Sequence, residues 1–295
     1  MTTQLVSLIC VLLMWQIGVT AQAPQSPPMA NPGCPAKCGN ITIPFPFGIG
    51  AGCSFSNWFD IDCNNNHKPF LRSSGLEVLS ISAQESSMRV NHPIFSTCQV
   101  NTTTFASVEL GDPFAFNTTV NRFTGVGCNN LISMSSYWDE SIVAGCVSMC
   151  ENYEYPLSTS SCLGVNCCQT GIPQLLKAFN VTLSTMSNNS KRGACRYAFL
   201  VDQQSIDSST SNILEIVHNM THVPVVLDWG ITSNFPPGIN ETIPSYNNSN
   251  AKCTNTLSKQ IPTLTLVQCR CNDGYQGNPY LHEGCQGKLV LSRSS

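Results

Sequence analysis

Residues 38–53 read CGNITIPFPFGIGAGC. Two cysteines enclose two Pro, four Gly, two Phe and three Ile, with Asn40 and Thr42 the only polar side chains and no charge. Pro fixes φ and removes a backbone donor, so the stretch is stiff. Pro44 and Pro46 predict an edge strand or an extended, polyproline-like segment. Phe residues between cysteines are more often small-domain core than sugar platform, which applies to Phe45 and Phe47 and to nearby Phe55, Trp58 and Phe59. The stretch therefore reads as scaffold, a cross-linked platform that positions its neighbours Lys37, Lys68 and Arg72.

The surrounding chain sets the compartment. Residues 1–21 read as a secretory signal peptide, with an apolar run from Leu5 to Val19 and small residues before a cut at Gln22. A run of that length is too short for a membrane span, which needs about 20 apolar residues. There are 17 cysteines, and removing Cys10 with the signal leaves an even set. In an oxidising compartment such a set reads as a disulfide framework. Only 11% of residues are charged, against a usual share of about 25%. Asn-x-Ser/Thr acceptors at Asn40, Asn101, Asn117, Asn180, Asn188, Asn219, Asn240 and Asn247 predict an extracellular, glycosylated surface that offsets the shortage of charge.

The organisation predicted is mainly β, in small disulfide-rich extracellular modules with few short helices. A Pro-rich linker (22–33) leads into a first cysteine-bounded unit at 34–98, with short strands at 41–43, 76–81 and 88–90. A second unit, 99–231, holds the densest cysteines. In it CRYAFLV places Cys195, Tyr197, Phe199 and Val201 on one strand face, and IPQLLKAF (172–179) predicts a short helix with Pro173 in its first turn. A linker at 232–252, a last cysteine unit at 253–285 and a polar tail at 286–295 follow.

Enzyme signals are absent. There is no Gly-x-Ser-x-Gly, His-Glu-x-x-His or P-loop, and GIGAGC has the wrong spacing for a dinucleotide loop. Asp60 and Asp62 share a strand face as a glycosidase pair would, but alternation alone produces that. Cys34-x3-Cys38 reads as disulfide rather than metal thiolate. The reading is no enzyme, no cofactor and no metal. With 14 Lys+Arg against 17 Asp+Glu and no basic run, nucleic acid is not a predicted partner.

CRCNDGYQGNPYLHEGC (269–285) resembles the closing half of an epidermal-growth-factor-like module. That resemblance implies a Cys271–Cys285 bridge, with Cys253–Cys269 as the remnant of the earlier ones. Only four of the usual six cysteines are present, and no calcium-type acidic pattern precedes Cys253.

CPAKCGNITIPFPFGIGAGC with FDIDCN, PFL, VLSIS and RVNHPI resembles the galacturonan-binding domain of plant wall-associated receptor kinases. NCCQTGIPQLLKAFNVTL, CRYAFLV and VPVVLDWGI resemble the cysteine-rich region that follows it in that family, and GYQGNPYLHEGCQ resembles its first, degenerate EGF-like module. The family continues into a calcium-type EGF module, a membrane helix and a kinase. This sequence reads GCQGKLVLSRSS at that point, without His-Arg-Asp or Asp-Phe-Gly, so the expectation is an ectodomain lacking membrane helix and kinase.

The resemblance implies an acidic wall polysaccharide, homogalacturonan, as partner. Holding such a polyanion requires cations or bridging calcium, the one role left open for that ion. Residues 34–98 offer Lys37, Lys68, Arg72 and Arg89, offset by Asp60, Asp62, Glu77 and Glu85. The candidate ligand-binding residues are Lys37, Lys68, Arg72, Arg89 and Trp58. The alternative is a protein-interaction ectodomain or co-receptor that recognises a secreted peptide or effector, which an exposed apolar patch within 99–230 would favour. Either reading places the protein in the extracellular space or cell wall, with membrane association only through a partner.

Overall fold

The computed structural model describes residues 27–99, 103–150, 162–185, 195–205, 213–232, 250–257, 265–282 and 284–288. The signal-peptide reading (1–21), most of the 232–252 linker and the end of the tail lie outside the described residues.

Strands dominate, and every ladder between them is antiparallel. A six-stranded sheet runs in the order Ile61–Cys63, Pro69–Leu71, Leu76–Ser82, Ser87–Pro93, His222–Asp228, Ala115–Phe116. Its first four strands form a local meander. Its fifth comes from more than a hundred residues later and pairs along the whole of Ser87–Pro93. Two four-stranded sheets pack beside it. One is built on Asn121–Val126 and Arg196–Asp202, the other on Asn130–Ser136 and Ala178–Thr185. Within the described residues the only α-helix is Ile213–His218, and no helix is long and apolar enough to cross a membrane.

All seven residues of Arg196–Asp202 are buried. Because side chains alternate across a strand, Ala198 and Leu200 enter the main core while Tyr197, Phe199 and Val201 enter a second one with Val126, Val217 and Val223. The main core holds the opening stretch. Phe47 is fully buried, edge-on to Phe59 and to Trp229, each at 5.1 Å between ring centres, and Trp229 reaches Tyr280 at 5.2 Å. One aromatic stack thus joins the N-terminal stretch, the end of the six-stranded sheet and the last cysteine unit. Offset and edge-to-face pairs of this kind add about 0.5–1.5 kcal/mol each beyond area burial. Fully buried Asn278 strengthens the junction, its amide donating to the carbonyls of Met29 (2.8 Å) and Phe45 (2.7 Å).

Sixteen cysteines form eight bridges, 34–53, 38–63, 98–195, 128–150, 146–168, 162–167, 253–269 and 271–285. The adjacent Cys167 and Cys168 point opposite ways along their strand, so Cys168 ties the two four-stranded sheets together through Cys146 while Cys167 closes a short loop.

Two local expectations are corrected. The Pro-rich stretch turns instead of extending: Phe47 N–H closes a turn onto the Pro44 carbonyl, and the Phe45–Pro46 peptide is cis. The segment 172–179 is not a helix. The carbonyls of Leu176 and Lys177 accept from the backbone N–H groups of Phe116 and Leu110, and a strand begins at Ala178. These long-range bonds outweigh the weak preference of a short helix, which is marginal without tertiary support.

Candidate functional site

The strand Pro69–Leu71 buries Pro69 and Leu71 inward. Period-2 alternation then puts Lys68, Phe70 and Arg72 on the outer face of the six-stranded sheet, with Phe70 half-buried between its two cationic neighbours. On the next strands Asp62 lies opposite Phe70 on one side and Glu77 on the other. Along Ser87–Pro93 the same alternation turns Met88, Val90 and His92 into the core and leaves Arg89 and Asn91 half-exposed. Three of the candidate cations therefore share one sheet face.

Each already holds a carboxylate. Arg72 donates Nε to both oxygens of Asp62 (2.9 and 3.1 Å), Nη2 to Asp62 (2.5 Å) and Nη1 to Asp60 (2.5 Å). The side-chain hydrogen bond from Arg72 holds the Asp62 carboxyl below its usual range and raises the guanidinium in turn. Lys68 Nζ lies 2.7 Å from Glu77, whose other oxygen accepts from Asn91 at 2.8 Å. Both bonds depress its pKa, the Lys68 bond more. Arg89 pairs with Asp202, a carboxylate with only 1% of its side chain exposed. Three cations face four carboxylates on this surface, an excess of one negative charge. Asp60 and Asp62 do converge, but on a guanidinium.

Lys37 stands apart. It is exposed on the two-stranded ribbon of Lys37–Cys38 and Ile41–Thr42, and among the described residues it makes no ion pair. The Cys38–Cys63 bridge anchors this ribbon to the sheet. Gly39 packs so closely on the turn before Lys68 that a Cβ there would sit 2.5 Å from the His67 carbonyl oxygen. Trp58 is 39% exposed on a 3-10 turn, with its ring over Gly111. Phe45, Phe47 and Phe59 are buried, which removes them as sugar platforms.

Sequence reasoning missed three residues. Phe70 was visible only as part of PFL. Lys252 and Arg270 are exposed and directly opposite across the ladder of Ala251–Leu257 and Thr265–Cys271, and neither forms an ion pair among the described residues. Like charges in that position repel, so the pair is open to an anion. The signal was present: pairing Cys253 with Cys269 places their neighbours Lys252 and Arg270 opposite each other.

Of the acceptor asparagines, Asn40 and Asn219 are exposed and Asn117 and Asn180 are half-buried. Asn101, Asn188, Asn240 and Asn247 lie outside the described residues. Asn117 donates Nδ2–H to Asp228 (2.8 Å), a carboxyl that burial pushes upward despite this bond.

Residues 34–92, which build this face and its ribbon, match the family model described as wall-associated receptor kinase galacturonan-binding, and residues 159–235 match the wall-associated kinase model. The chain is homologous to the wall-associated receptor kinases. It is 33% identical over 274 residues to wall-associated receptor kinase 3 of Arabidopsis thaliana, covering 86% of this chain and 35% of that relative. It is 32% identical to wall-associated receptor kinase 4 of the same plant over 86% and 34%, respectively. Wall-associated receptor kinase-like 10 matches at 29% identity over 86% and 38%. The chain thus spans about a third of the length of these curated relatives. No solved structure matches it.

Proposed function

We propose that this chain is a receptor-type extracellular module that binds galacturonan in the plant cell wall without catalysing a reaction. The observation that carries the proposal is the match of residues 34–92 to a galacturonan-binding model. The ligand lies along the outer sheet face, a sugar ring against Phe70 and its carboxylates drawn to Lys37, Lys68 and Arg72, with Arg89 and Trp58 at the margins.

The charge balance decides the strength. Lys68 and Arg72 reach a galacturonate only by exchanging their present partners, and an exposed ion pair is worth about 0–1 kcal/mol. Single contacts are therefore weak and salt-sensitive, and affinity comes from repeated engagement along the polymer. Calcium strengthens binding by bridging a sugar carboxylate to Asp62 or Glu77. The test is binding of the secreted protein to oligogalacturonides across a salt series, with and without calcium, beside a Lys37→Ala/Lys68→Ala/Arg72→Ala variant. Binding that falls with salt and is lost in the variant supports the reading. No binding at low salt by a disulfide-complete sample refutes it.

One observation favours a protein partner as a second reading. Between Asn130–Ser136 and Ile142–Ser148 a hairpin tip exposes Trp138 (82%), stacked edge-on with Tyr137, together with Ile142 (75%). Aromatic anchors of this kind are enriched at protein interfaces.

A further inference from the structure

At the far end of the same sheet face lies a cleft of about 530 Å³, within the usual size range of a small-ligand site. Its walls come from Leu76–Ser82, Ser87–Pro93, the turn after Asp202 and the turn that begins at Asn117. Hydroxyl and amide groups of Ser80, Ser82, Ser87 and Gln204 line it, over apolar Val120 and Val226. Polar groups that donate and accept, set around an apolar floor, suit a sugar ring. Glu85, Asp202 and Asp228 against Arg89 leave it net negative, which disfavours an acidic sugar and admits a neutral one.

Asn117 is part of the wall, and Asn117-Thr118-Thr119 is an acceptor sequence. Its amide is fixed on both sides. Oδ1 accepts from Thr119 N–H (3.0 Å), Thr119 Oγ (2.7 Å) and Val120 N–H (3.1 Å), while Nδ2 donates to Asp228. Its backbone N–H is pinned to the Val226 carbonyl at 3.0 Å. A glycosylated asparagine keeps one amide hydrogen, so Nδ2 remains a donor after attachment. We infer that the cleft seats the neutral N-acetylglucosamine core of the chain's own Asn117 glycan. The glycan folds back onto the sheet as part of the structure, whereas those on exposed Asn40 and Asn219 stand in solvent. The inference rests on the acceptor reading of Asn117, and of the residues proposed for galacturonan it involves only Arg89, at the margin of that site.

The test is site-resolved release of glycans from the native, secreted protein by an endoglycosidase that cuts within the core, followed by mass spectrometry of glycopeptides. Release at Asn117 is expected to be about tenfold or more slower than at Asn40 and Asn219, because cleavage must wait for local opening. The difference should vanish after denaturation. Ser82→Ala/Gln204→Ala, on the facing walls, should speed release at Asn117 and leave the other two sites unchanged. An unoccupied Asn117, or release there as fast as at Asn40 and Asn219 in the folded protein, would overturn the inference.

Discussion

Moving the protein from pH 7 to pH 5 should lower its stability by about 2 kcal/mol through one side chain, His92. The ring is buried on Ser87–Pro93, 5.6 Å from Phe116 and 6.1 Å from Phe95, with Nδ1 3.2 Å from the Pro93 carbonyl. Burial, mainly, pushes its pKa down from 6.5 to about 4, and His222 on the paired strand adds to the fall. The unfolded chain takes up the proton near pH 6.5 and the folded one only near pH 4, so the contribution is complete above 6.5 and fades as pH falls towards 4. The full gap is worth roughly 3 kcal/mol at 1.36 kcal/mol per unit, and about two thirds of it is lost by pH 5. For a chain of this size that corresponds to a fall of roughly 3–4 °C in Tm. The depressed carboxyls of Asp62 and Glu77 lose their stabilisation only at lower pH, and Asp228, with its raised pKa, works in the opposite direction. Calorimetry of wild type and His92→Leu from pH 7 to 5 isolates the effect: the variant should lose most of the dependence. An equal Tm drop in both proteins would refute the reasoning.

Other perturbations probe the scaffold. Asn278→Ala should cost about 1–3 kcal/mol in chemical denaturation, since it strands the buried Phe45 carbonyl, whereas that of Met29 keeps the Phe45 N–H. Removing the Cys98–Cys195 bridge, whose partners are 97 residues apart, should cost about 4–5 kcal/mol. Removing Cys162–Cys167, separated by 5, should cost only about 2 on the loop-entropy model. Urea midpoints of the two Cys→Ser pairs check the order. Gly48→Ala should block folding to the secreted form, because a Cβ at that position falls 2.2 Å from the Cys53 carbonyl carbon.

What was legible in the sequence followed local rules. CRYAFLV alternates cleanly, and its two faces serve two cores. The stretch at 38–53 is apolar and uncharged because Phe47 lies inside the aromatic stack, although nothing local to Pro44 and Pro46 announced a turn. The helix expected at 172–179 failed because its backbone partners, Leu110 and Phe116, lie some sixty residues away. At the outer face, sequence identified the cations and even the nearby carboxylates, but not which pairs form. Arg72 with Asp62 is a neighbour-strand contact, whereas the Asp202 that neutralises Arg89 is 113 residues distant. Lys252 and Arg270 became adjacent through a disulfide, which is readable once the cysteines are paired.

Galacturonan binding on the outer face is the central claim, and Asp62 gives its sharpest test. Asp62→Asn leaves the Arg72 guanidinium held by Asp60 alone and removes one negative charge, while Arg72→Ala removes the cation and releases Asp60 and Asp62. Titration with oligogalacturonides at low salt, in calcium-free buffer, should show Asp62→Asn binding several-fold more tightly than wild type and Arg72→Ala several-fold more weakly, the range of about 1 kcal/mol per exposed pair. Equal affinities for all three proteins would contradict the account.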